Sequence, residues 1–191
     1  MKKIAVMLVL LAMCAIGFAQ DQTAKKDEAP AKPAEISTVL EKQLSNAEME
    51  IVKLAEAMPE AKFSFAPAAG EFKGVRTFGE QIRHVATTNY LIGAAIAGEK
   101  SPVEEGKAEN GPELKTKTEI VQELKDSFIY LHKVFGKLDA TSALEPFKMW
   151  GRIGSRMNAA VVIIGHINNH YGQCVVYLRM NGIVPPASRQ M

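Results

Sequence analysis

Val121-Gln122-Glu123-Leu124-Lys125-Asp126-Ser127-Phe128-Ile129-Tyr130-Leu131-His132-Lys133-Val134-Phe135 decides the fold. Val121, Leu124, Phe128, Leu131 and Phe135 recur at steps of three and four, and Leu138 extends the series. That spacing places them on one face of an α-helix. The pattern predicts a helix starting after Thr118, with one apolar seam. Three other stretches carry the same signature. From Ser37 to Met58 the seam is Leu40, Leu44, Ala47, Ile51, Leu54 and Met58, and Pro59 stops the helix. Thr77 opens the next, with Glu80 three residues later. This is a capping box, in which each side chain satisfies a free backbone donor of the first turn. Its stripe is Phe78, Ile82, Val85, Asn89, Ile92 and Ile96, ending near Gly98. The last helix runs from near Ser155 to Asn181. Gly182 then serves as a left-handed cap, and Pro185-Pro186 forbid continuation.

Helices of similar length with one seam each predict an all-α four-helix bundle. The links at 59–76, 100–117 and 139–154 are long, and long loops in a compact bundle can roof one end. No run alternates with period two, so no sheet is expected.

The N-terminus does not belong to the bundle. Lys2 and Lys3 precede an uncharged apolar run, Ile4 to Phe18, and Gly17-Phe18-Ala19 supplies small residues for cleavage before Gln20. Residues 1–19 read as a secretory signal peptide, which predicts an exported, periplasmic or secreted, protein. The run is short for a membrane span, although an uncleaved anchor is the other reading. Met13 makes Leu11-Ala12-Met13-Cys14 a poor lipoprotein site. Residues 20–34 hold no large apolar side chain and read as a flexible tether, leaving 35–191 as the domain. Once the signal is removed, 21 basic residues face 21 acidic ones. No basic excess remains for phosphates, which argues against a nucleic-acid partner. Cys174 is then the single cysteine, too few for an internal disulfide.

Chemistry centres on Gly165-His166-Ile167-Asn168-Asn169-His170-Tyr171-Gly172-Gln173. On a helix, His166 and His170 lie one turn apart on one face. Ala159, Ile163, His166, His170, Gln173 and Tyr177 continue the three-and-four alternation, and the neighbouring positions are largely apolar, so this helix reads as largely buried. Two buried imidazoles need partners, at about 1–3 kcal/mol each if left without. Asn168 and Asn169 are one set of partners; a metal ion is another. His84 flanks the seam of the second helix and can turn inward as a third donor. Three histidines suit Zn²⁺ or a similar ion and leave a coordination position open, where a water or thiol is acidified. Glu80 is a cap first, with a supporting role toward His84 second. Gln173 and Tyr177 are either core packing or contacts to the substrate or the ligands. His132, next to the seam residue Leu131, is assigned to the surface.

Met58-Pro59-Glu60, Phe63-Ser64-Phe65-Ala66-Pro67 and Arg76-Thr77-Phe78-Gly79-Glu80-Gln81-Ile82-Arg83-His84 resemble the first half of the DinB-like (YfiT-like) metalloenzyme family. Gly165-His166 through Gln173, Tyr177-Leu178-Arg179 and Gly182-Ile183-Val184-Pro185-Pro186 look like its second half. The resemblance spans Ser37 to Ser188. It implies a four-helix bundle holding a divalent metal, zinc or nickel, on three histidines that map to His84, His166 and His170. It also implies dimers. Relatives include S-transferases and isomerases that use bacillithiol, mycothiol or glutathione, and a hydrolase. The expectation is therefore a metal-dependent hydrolase or thiol-dependent transferase acting on a small molecule, with no stable membrane partner after signal cleavage. Export sits poorly with thiol cofactors, which are mainly cytoplasmic. The alternatives are a non-catalytic, metal-binding or stress-related bundle, and a purely structural one.

Overall fold

The computed structural model describes residues 34–68, 74–104, 115–149 and 151–189. The expected signal peptide and all of the tether except Ala34 lie outside them, as do parts of the first two links and Trp150. The described residues belong to a compact unit, 34–191. Four helices form it: α1 (Ile36–Ala57), α2 (Phe78–Ala97), α3 (Lys117–Phe135) and α4 (Arg156–Met180). Each of the first three buries its expected seam. In α3, Leu124, Phe128, Leu131 and Phe135 are fully buried, and each such side chain contributes about 1.5–3 kcal/mol by leaving water.

Local chemistry sets the helix ends. The Thr77 hydroxyl accepts from the Glu80 backbone N–H at 3.3 Å, and the Glu80 carboxylate accepts from the Thr77 N–H at 2.7 Å. α3 starts two residues earlier than the sequence suggests, because Thr116 and Glu119 form a second capping box. Lys117 donates to the carbonyls of Glu56 and Met58, tying the start of α3 to the end of α1. Gly182 takes φ +71°, and the Ile183 N–H closes the end of α4 on the Leu178 carbonyl at 3.0 Å.

The helices pack in the ring α1–α3–α2–α4, so α1 lies diagonal to α2 and α3 diagonal to α4. Paired residues give the directions. Gly79 faces Ile120 and Gly93 faces Tyr130, so α2 and α3 are parallel. Tyr177 meets Arg76, while Arg156 meets Ile96, so α4 runs antiparallel to α2. Lys125 reaches Glu56 and His132 reaches Glu41, so α3 runs antiparallel to α1. The order is up-down-down-up, which requires the long links. The first lies down on α2, where the Phe63 carbonyl accepts from Gly79 and the Phe65 carbonyl from Phe78.

Three expectations are corrected. A short antiparallel hairpin, β1 (Pro146–Met149) and β2 (Arg152–Ser155), leads into α4. Its strands are too short for period-two alternation to register, and Gly151 at φ +76° makes the turn. α4 is not largely buried: its core positions are Ala159, Ala160, Ile163, Ile167, His170, Cys174, Tyr177 and Leu178. Ile167 and Cys174, rather than His166 and Gln173, hold the inward places. His132 is not an idle surface group. Its Nδ1 lies 2.5 Å from Glu41 and its Nε2 2.9 Å from Glu48, bridging α3 to α1. Among the described residues, no helix is long and apolar enough to cross a membrane.

Candidate metal centre

Because α2 and α4 are antiparallel neighbours, His84 faces the turn that carries His166 and His170. The Nε2 atoms of His84 and His166 are 3.1 Å apart, and those of His166 and His170 are also 3.1 Å apart. The three donors all lie within 4.8 Å of one another. His170 is buried; His84 and His166 are half-buried.

Hydrogen bonding alone does not account for this convergence. Each neutral imidazole has one N–H and one lone pair. The Gln81 carbonyl lies 2.6 Å from His170 Nδ1. It accepts the proton there, so the lone pair of His170 sits at Nε2. His166 Nε2 is then either a donor or an acceptor, and cannot satisfy both of its neighbours. A cation at the centre satisfies all three lone pairs. Ligands about 2.05 Å from a tetrahedral ion stand about 3.3 Å apart, close to the observed spacing. His166 Nδ1 is buried with no hydrogen-bond partner, so no hydrogen bond fixes this ring from behind. The residues fit a divalent ion.

The electrostatics agree. Burial pushes His166 down to about 3, helped by His170, His84 and Arg76. Burial likewise pushes His170 down to about 4, helped by His84 and Arg76. Both rings are neutral at neutral pH, as metal ligands must be.

Amide side chains back His170. Gln81 also donates its NH₂ to the Gln173 carbonyl at 3.0 Å, and Gln173 donates to Asn169 at 2.6 Å. This chain fixes which end of the Gln81 amide faces His170. Gln173 is therefore a support acting through Gln81, although it is exposed rather than inward. Gln81 was missed in the sequence, yet it sits three residues before His84 on the same face of α2, and that spacing could have found it. Glu80 is occupied by the cap, with Oε2 also accepting from the Thr77 hydroxyl at 3.0 Å. Tyr177 donates to the Arg76 carbonyl at 2.9 Å and packs edge-on against Phe65, two turns along α4 from His170.

A family model described as the DinB superfamily matches residues 43–174. No curated protein matches the chain. Among solved structures, a DinB-like protein from Bacillus cereus is similar, with TM-score 0.67 at 16% identity, over 80% of this chain and 96% of that one. A DinB-like protein from Bacillus subtilis gives TM-score 0.60 at 18% identity, over 80% and 99%. A conserved protein from Enterococcus faecalis gives 0.60 at 13% identity, over 78% and 98%. At these identities the structures speak for the fold, and the family model spans more than half of the sequence: this chain belongs to the DinB superfamily.

Proposed function

We propose that this chain is an exported metalloprotein whose His84, His166 and His170 hold one divalent ion, zinc or nickel. In this reading it acts on a small molecule as a metal-dependent hydrolase or a thiol-dependent transferase. The observation that carries it is the convergence of three Nε2 atoms at 3.1 Å steps. When bound, the ion supplies Lewis acidity at the position that three protein ligands leave open. The chain's own residues do the rest. Three neutral imidazoles leave the ion's charge uncancelled. Gln81 takes the Nδ1 proton of His170 and holds its ring in place. Phe65, from the first link, packs edge-on against Tyr177, two turns along α4 from His170. Support for export comes from Lys2, Lys3 and the apolar run up to Ala19.

Elemental analysis of untagged protein from the periplasmic or secreted fraction tests export and metal together. The expected result is one zinc or nickel per chain, lost in His166→Ala and His170→Ala. Protein that takes up neither Zn²⁺ nor Ni²⁺ on reconstitution overturns the site. A full complement of metal with no turnover of ester, amide or thiol-acceptor substrates assigns the non-catalytic role.

A further inference from the structure

The C-terminal end of α2 borders a cavity that no residue of the candidate metal centre lines. α2 stops at Gly98, which takes φ +72° and donates its N–H back to the Ala94 and Ala95 carbonyls. The chain then turns again at Ser101, whose hydroxyl accepts from the Val103 N–H at 3.2 Å. Residues 99–104 therefore form one wall, the last two turns of α2 a second, and Lys148 and Met149 of β1 a third. They enclose about 770 Å³, within the roughly 300–1,000 Å³ of small-molecule sites. Ala94 and Ala95 keep the helix side shallow, so the space stays open. The hairpin wall is braced in place. Arg156, just after β2, donates to the Glu145 carboxylate at 2.6 Å, to the Ser142 carbonyl at 3.3 Å and to the Ile96 carbonyl of α2 at 2.9 Å.

The lining divides by chemistry. Leu91, Ala95 and Met149 are apolar and half-buried, while Glu99, Lys100, Glu104 and Lys148 are exposed. The two acids are engaged elsewhere. Glu99 acts on Tyr130 of α3, where burial first and this carboxylate second hold the phenol above its usual range. Glu104 has a partner of its own. Among the described residues, no carboxylate pairs with Lys100 or Lys148. A single exposed lysine needs no partner. Here two, from different elements, share one cavity with an apolar lining. Apolar walls with a few polar groups to fix orientation are the usual make-up of a small-molecule site. We propose that this cavity binds a small organic anion, with its acidic group at Lys100 and Lys148 and its apolar body on Leu91, Ala95 and Met149. Leu91 follows His84 by two turns of α2, about 10 Å, so the site is distinct from the three histidines and does not rest on the metal reading.

Fluorescence titration of the purified full chain with anilinonaphthalene sulfonate, an aromatic body carrying one sulfonate, tests it at low salt. The expected result is saturable binding at one site. Each exposed charge contact is worth about two- to fivefold, so the double variant Lys100→Gln/Lys148→Gln should bind about tenfold more weakly. Added salt should weaken binding to the wild type and leave the double variant almost unchanged. Phenylnaphthylamine, the same rings without the sulfonate, should bind about tenfold more weakly than the anion. Ala95→Trp should block the cavity and abolish binding. Val161→Glu, in the separate apolar groove between α1 and α4, should leave the titration unchanged. Absence of saturable binding overturns the proposal. So does an affinity that the lysine substitutions do not move, equal binding of the uncharged analogue, or a signal lost in Val161→Glu. Both lysines are exposed, so their variant folds and gives a reading even if Ala95→Trp does not.

Discussion

Gln81 is buried between α2 and α4, with its carbonyl on His170 and its NH₂ on Gln173. Such outer partners raise the basicity of a histidine ligand and fix its orientation. Gln81→Leu removes the acceptor and leaves the His170 N–H without one. Chelator competition should find metal affinity about 10–100-fold lower, while Gln81→Glu, which keeps an acceptor, should retain tight binding. The histidines also give the metal-free protein a pH dependence of mixed sign. His166 and His170 have folded values near 3 and 4, below the ordinary 6.5. Below 6.5 the unfolded chain takes up protons that the folded chain refuses, so their contribution is full above 6.5 and is lost as pH falls toward 3 to 4. His132 behaves in the opposite sense. Burial opposes its charge, but the hydrogen bonds and negative charges of Glu41 and Glu48 together outweigh burial and raise its value. Its contribution is full below 6.5 and is lost as pH rises through the raised value. Urea midpoints of the metal-free protein across this range should fall on both sides, and His132→Gln should abolish only the alkaline fall.

The helix caps and close approaches are tested at the scale of elements. Thr77→Ala and Thr116→Ala each remove a capping oxygen and should cost about 1 kcal/mol in urea unfolding. At Gly93, α3 side chains press against the α2 backbone: a Cβ there would lie 2.9 Å from the Tyr130 ring and 3.0 Å from Leu131. Gly93→Val should destabilise by about 1–3 kcal/mol, although valine has the better helix propensity. The same elements show what the sequence could reveal. α1 and α3 have charged outer faces, so the phase of each of those seams is legible. α4 has no charge between Arg156 and Arg179 to mark its outer face, and its apolar residues fit two phases equally well, one of which runs through both histidines. The hairpin escaped because four-residue strands carry almost no periodicity. His132 was misjudged because its partners, Glu41 and Glu48, come from α1 and depend on α1 and α3 being neighbours. The three histidines are legible as candidate ligands from spacing and family resemblance together. Their meeting point is not, because it depends on which helices share the ring.

For the whole molecule, metal binding is a stability term. An ion that binds only the folded chain adds RT ln(1 + [L]/Kd), about 2.7 kcal/mol at a hundredfold excess over Kd. For a domain of this size that raises the melting temperature by roughly 5–10 °C. Scanning calorimetry should find the rise with Zn²⁺ and its loss on chelation, and should find neither in His166→Ala. The ring order α1–α3–α2–α4 also constrains how the chain reaches its folded state. Of the sequence-adjacent pairs only α2–α3 forms a principal contact, and it is parallel across a long link, so no antiparallel helical hairpin can fold early as a local unit. Every main interface closes over a long span of chain; Gln81 and Gln173, for example, are 92 residues apart. Loop closure of that kind comes before any compensating contact, and it slows folding relative to a bundle of successive hairpins. His84 and His166, 82 residues apart, share no half-built intermediate. An ion held by His84, His166 and His170 would meet its full ligand set only once α4 packs on α2, and stopped-flow folding should then give the same forward rate with and without metal while unfolding slows in its presence.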